Sequence, residues 1–160
     1  MKLLKNTLIV LMALVMLCAC GGGASQPADL PEPDVAQLAE DMFAAAQLED
    51  ELMSIGTDII GNLYEYDEES IAAAAVYTSS TMSTPEEIAV FKAADAESVE
   101  YVEEMIKLRL QNQNFAYEDY APLEMPKLEN AKTVTKGLYT ALIVCADPAP
   151  AVEVFEKAFA

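Results

Sequence analysis

With 160 residues, 27 of them acidic against 9 basic, the chain carries a formal net charge of −18 and contains no His and no Trp. Its length suits one domain with a sizeable core, and at 53% hydrophobic it is too apolar for a disordered acidic chain. The missing His removes the usual neutral-pH general base and the commonest transition-metal ligand, while the negative charge opposes nucleic-acid phosphates and anionic lipid head groups.

Lys2 and Lys5 form a basic n-region, and residues 8–17 read LIVLMALVML without a charge. A membrane-spanning helix needs about 20 apolar residues, so this shorter run fits the h-region of a signal peptide over residues 1–19. The sequence Leu17-Cys18-Ala19-Cys20 resembles a bacterial lipobox, with Leu at −3, a small residue at −1 and Cys at +1. The resemblance implies a diacylglyceryl group on the Cys20 thiol and cleavage just before it. Two or more acyl chains anchor a protein where one holds only marginally. Cleavage there removes Lys2 and Lys5 and no acid, leaving 27 acids against 7 bases, or −20. Cys18 leaves and Cys20 is acylated, so Cys145 has no internal disulfide partner. Following Leu142-Ile143-Val144, it reads as a small buried hydrophobe.

Residues 20–33 hold the lipidated Cys and a Gly- and Pro-rich tether, which at full stretch spans roughly 40 Å. Residues 34–160 read as a single α+β domain. Asp34 caps a helix to about Gln47 with Val35, Leu38 and Met42 at helical spacing. Apolar character continues through Leu52, Met53, Ile55, Ile59 and Ile60, with breaks or short helical turns at Gly56 and Gly61.

The remainder predicts two strand-strand-helix units. Ile71–Tyr77 and Glu87–Ala93 are strands separated by TSSTMSTPE, and Asp95 then caps a helix carrying Val99, Val102, Ile106 and Leu110 on one face. On its outside Glu103 and Lys107 form an i,i+4 pair. Lys132–Thr135 and Tyr139–Cys145 are strands joined at Lys136-Gly137, and Asp147-Pro148 opens a last helix with Val152, Phe155 and Phe159 on one face. The Ala72–Ala75 run would favour a helix by propensity; small side chains on a strand let a helix pack close, and we assign it as strand. A shift of 52 aligns Ala89 with Ala141, Ala94-Asp95 with Ala146-Asp147, Val102 with Val154 and Glu104 with Glu156. The expected fold is therefore α+β, a four-stranded antiparallel sheet with helices on one face plus an N-terminal helix.

The acidic runs Glu49-Asp50-Glu51 and Glu65-Tyr66-Asp67-Glu68-Glu69 lack the D-x-[DN]-x-[DN]-G spacing of a calcium loop, so we expect solvated charge and no metal or cofactor. There is no G-x-S-x-G, no S-x-x-K and no Gly-rich phosphate loop, and a triad without His is incomplete. We expect no catalytic residues. Phe115, Tyr117 and Tyr120, read as a loop after the central helix, are the one local concentration of aromatic rings and the candidate partner-binding surface. The seven bases beyond the leader are too scattered for an anion site.

The stretch Glu87–Lys92, the Asp95-led helix, the Tyr120-Ala121-Pro122 loop and Lys136-Gly137-x-Tyr139 resemble a bacterial lipoprotein family described only as domain of unknown function 4358. The resemblance spans roughly residues 50–160, and the Ala72–Ala75 run departs from it where β-branched residues are expected. It implies a lipid-anchored protein and brings no catalytic residues. The expected function is a non-catalytic module on the extracytoplasmic face of the cell membrane, binding an unknown protein or small molecule and no nucleic acid. The alternatives are a hydrolase or an accessory subunit of a membrane complex. Replacing Cys20 by Ser should abolish labelled-palmitate incorporation and lipoprotein processing; normal labelling of that variant would contradict the lipobox assignment.

Overall fold

The computed structural model describes residues 30–160, so the signal segment and Cys20 lie outside the described residues. The chain runs α1 (Val35–Ala45), β1 (Leu52–Ile55), α2 (Thr57–Leu63), β2 (Ile71–Ser79), β3 (Glu87–Ala93), α3 (Val99–Tyr120), a 3-10 turn (Pro122–Glu124), α4 (Met125–Glu129), β4 (Lys132–Lys136), β5 (Tyr139–Val144) and α5 (Ala149–Lys157). All strand pairs are antiparallel, in the order β1-β2-β3-β5-β4. Both strand-strand-helix units are present, as is the helix beginning after Asp34, whose carboxylate accepts the Gln37 N–H at 2.9 Å.

Two parts of the expected fold are corrected. The sheet has five strands, not four: Leu52–Ile55 pairs with residues 76–79 of β2, which runs two residues beyond the expected end at Tyr77. Helices also cover both faces. In β3, Ala89, Phe91 and Ala93 pack with Val102, Met105 and Ile106 of α3, while Ile88 and Val90 pack with α1 and α5 through Met42 and Phe155. The physical reason is the double-sided hydrophobicity of the central strands. Every residue of β5 is buried, and every residue of β3 except Lys92. Strand side chains alternate between faces, so such runs need cover on both. The 52-residue shift hides this, because Ala89 pairs with Leu142 and shares its face, whereas its aligned counterpart Ala141 faces the other way. The two helices that follow the aligned strands therefore lie on opposite sides.

The Ala72–Ala75 run is strand. Ala73 and Ala75 pack in the layer with α1, beside a stacked Phe43–Tyr77 pair with ring centroids 4.8 Å apart. Ser98 and not Asp95 is the cap residue of α3; Asp95 accepts from Ser98 N and Oγ at 2.9 and 2.8 Å in the preceding turn. Lys107 pairs with Glu104 at 2.9 Å, and Glu103 instead accepts from the Thr135 hydroxyl. Gly137 holds φ +58 in the β4–β5 turn, the left-handed region that a glycine enters without steric cost.

The segment before α1 is fastened to this turn end of the sheet. Tyr139 donates its hydroxyl to Pro33 O at 3.0 Å, Lys92 pairs with Glu32 at 2.9 Å, and Leu30 lies against Gly137. The thiol of Cys145 is buried between the sheet and the α1–α5 layer, and burial pushes its pKa up to about 11.

Candidate functional site

At the other end of the sheet a cleft of about 810 Å³ opens between α2 and α3 over β1 and β2. Its polar floor is organised by Glu87, the first residue of β3, whose side chain is fully buried. A carboxylate taken out of water must be paired and hydrogen-bonded. Arg109 of α3 supplies a two-pronged contact, Nη2 to Oε2 at 2.6 Å and Nε to Oε1 at 3.3 Å. Thr78 of β2 donates at 3.1 Å, Gln113 at 3.4 Å, and the Tyr64 hydroxyl also donates to Oε1. Burial, the Glu87 charge and its hydrogen bond raise the Tyr64 pKa far above the usual tyrosine range, so this phenol keeps its proton. Burial opposes the charge of Arg109, but Glu87 outweighs it and raises the pKa further. The guanidinium also lies over the Tyr64 ring, 5.6 Å from its centroid. Gln113 Oε1 is buried without a partner among the described residues.

A second carboxylate builds the wall. Asp50 Oδ2 accepts from the hydroxyls of Thr81 and Thr84 at 3.2 Å, Ser83 at 3.4 Å, and Ser79. These hydroxyls, led by that of Ser79, hold the Asp50 carboxyl below the usual aspartate range. The TSSTMST stretch is thus wound around one acid, with Met82 at its tip in the left-handed region at φ +57. Tyr117 holds the tip from the other side, its hydroxyl donating to Thr84 O at 2.6 Å and Met82 O at 3.0 Å.

A third cluster sets the position of Asp50. Glu86 is buried and accepts from the backbone N–H groups of Glu49 and Asp50. Lys127 lies 3.4 Å from Glu86, 2.8 Å from Glu49 and 2.7 Å from Glu124. Burial works against the ammonium, but these acids outweigh it and raise its pKa. The acidic run 49–51 is therefore largely committed to internal bonds. Among the described residues no group of three or more His, Cys, Asp or Glu is arranged to hold a metal ion, and no helix is long and apolar enough to cross a membrane.

The aromatic candidates are not in a loop. α3 continues through Tyr120, and the 100° step of the helix separates them. Tyr117 is 9% exposed and belongs to the core as well as to the cleft, while Tyr120, 70% exposed, meets its ring edge-on at 6.2 Å and forms the rim. Phe115 is 83% exposed but does not line the cleft. Sequence reasoning missed Glu87, Arg109 and Asp50. Two signals were available. Arg109 is the one Arg of the chain and falls between Ile106 and Gln113 at the i+3 and i−4 spacings of the buried stripe; Glu87 opens a strand that is otherwise apolar but for Lys92.

The sequence profile of the family described as domain of unknown function (DUF4358) matches residues 44–145. That span contains all five strands and every residue that lines the cleft. No curated protein and no solved structure matches the chain.

Because the Asp50 pKa is depressed on folding, its stabilising contribution is complete above the unfolded value of about 3.9 and is lost as pH falls through the lower folded value. Amide protection factors across residues 80–84, corrected for intrinsic exchange, should fall over that acid window. Asp50→Asn should remove that pH dependence of protection and lower the protection factors at neutral pH by on the order of tenfold, the loss of one or two net hydrogen bonds. An unchanged acid transition in that variant would contradict the assignment.

Proposed function

The chain belongs to the family described as domain of unknown function (DUF4358), and we propose that it serves as a non-catalytic binding module, anchored by lipid on Cys20 and receiving its ligand in the α2–α3 cleft. One observation carries this reading. Of the six large apolar side chains exposed on the described residues, four (Met53, Ile59, Met82 and Tyr120) line this cleft. Apolar surface gathered in one concavity, with a few fixed polar groups beneath it, is the usual composition of a ligand site. The lining also contains no Asp or Glu, although the chain has 27.

The polar floor supports binding in preference to proton transfer. The Glu87 oxygens already take donors from four side chains, which makes them a fixed anchor for Arg109. The tether supports an outward-facing cleft. Leu30 and Glu32 are fastened near Gly137 and Lys92, at the Ala93 end of β3, whereas Glu87 at the cleft lies at its other end. At about 3.3 Å per residue the strand separates the two by roughly 20 Å. A lipid on Cys20, ten residues before Leu30, attaches the chain at the end of the sheet opposite the cleft, which leaves the cleft free to face outward.

A photo-crosslinking residue placed at Tyr120 should give a discrete adduct in intact cells, and the same residue at Phe115, on the same helix outside the cleft, should not. Equal products from both positions, or none from Tyr120, would overturn the cleft as the binding site.

A further inference from the structure

β1 is an edge strand, and its outer side is open. Ser80 N donates to Glu51 O at 3.1 Å, which makes that couple a hydrogen-bonded pair in register with Leu52–Ser79. By the alternation of an antiparallel ladder, Met53 and Ile55 turn their N–H and C=O toward β2, and Leu52 and Ser54 turn theirs outward. No backbone group among the described residues bonds to those outward groups. The other edge, β4, is flanked by exposed Lys132 and Lys136, a common guard against strand addition. β1 reads Leu-Met-Ser-Ile, with no charge and no Pro.

We propose that the outer edge of β1 binds an extended peptide of a partner protein as a sixth strand, with a charge-free apolar centre and basic residues at both ends. This rests on the cleft reading above and names its occupant. A strand beside β1 places every second side chain on the face that carries Met53 and Ile55, continuous with the apolar rim at Ile59. The charge requirement comes from what lies at the two ends of β1. Glu51 precedes the strand and is exposed. Asp58, also exposed, sets its carboxylate beside Gly56, where an added Cβ would come within 2.8 Å of it. Between these acids the cleft lining holds none. A second copy of this chain fits poorly there: antiparallel pairing of β1 with β1 opposes like charges at both ends and joins two chains of −18 each.

The test uses the full chain in detergent and a bead library of blocked octapeptides, each with Lys at both ends and Val, Ile, Thr or Ser between. Saturable binding is expected from a subset. N-methylation of alternate residues of the best binder, in the phase that faces β1, should weaken binding at least tenfold, and the other phase less than twofold. Exchanging the terminal Lys for Glu should also weaken it at least tenfold. Ser54→Pro, which removes an outward N–H from a position at the sheet edge, should weaken it similarly while the melting temperature stays within a few degrees. Absence of saturable binding, equal loss from both N-methyl phases, or a self-associated dimer that blocks the peptide would each overturn the proposal. If the peptides fail while the Tyr120 adduct persists, the edge assignment falls and the cleft stands; if both are lost, both fall.

Discussion

The buried carboxylate of Glu87 is the constraint around which this domain is arranged. It sits at the head of a strand that is otherwise apolar but for Lys92, and solvent does not reach it. Left unpaired it would cost several kcal/mol, roughly the scale of a small domain's net stability. Satisfying it draws in β2 through Thr78, the segment after α2 through Tyr64, and α3 through Arg109 and Gln113. Those same elements are the sides of the cleft. The floor of the candidate site and the packing of α3 on the sheet are thus one arrangement.

Its neighbour Glu86 performs a parallel task at the same end of β3. By accepting the Glu49 and Asp50 N–H groups, it fixes the backbone that aims the Asp50 carboxylate at four hydroxyls of the 79–84 segment. Lys127 balances the local charge. The consequence is a division of the chain's acids. Several are consumed inside, holding loops and helices, while the cleft they frame contains none. That division leaves a strongly acidic protein one partly apolar concavity whose lining carries no acid. Opposite it, the Leu30–Pro33 segment is fixed to the turn end of the sheet. That segment and the cleft therefore lie at different ends of one sheet.

Much of the fold was legible because it is written in local patterns. The two strand-strand-helix units, the Asp34-capped helix and the Gly137 turn all follow from periodicity and turn chemistry. β1 was not legible, since four residues between an acidic run and Gly56 carry too short a pattern and acquire their strand identity only by pairing with β2. The two-sided covering was readable in principle: Ile88–Phe91 and Ala141–Cys145 are continuous apolar runs, where a one-sided sheet alternates. For the candidate site, Tyr117 and Tyr120 of the three aromatic positions line the cleft, and Phe115 does not. The Glu87–Arg109 pair joins residues 22 apart and Asp50 meets hydroxyls some 30 residues away, so neither is a spacing that sequence alone can display.

Arg109 and Glu87 act as one buried pair that fixes the cleft floor, and a double-mutant cycle on unfolding free energy reads their coupling. Arg109→Met in the natural background should cost about 3–5 kcal/mol, the penalty of leaving a buried charge without its partner. In a Glu87→Gln background, where no charge is left to orphan, the same change should cost less than about half of that. Equal cost in both backgrounds would show that the two side chains act independently, and the account of the cleft built on their pairing would fail.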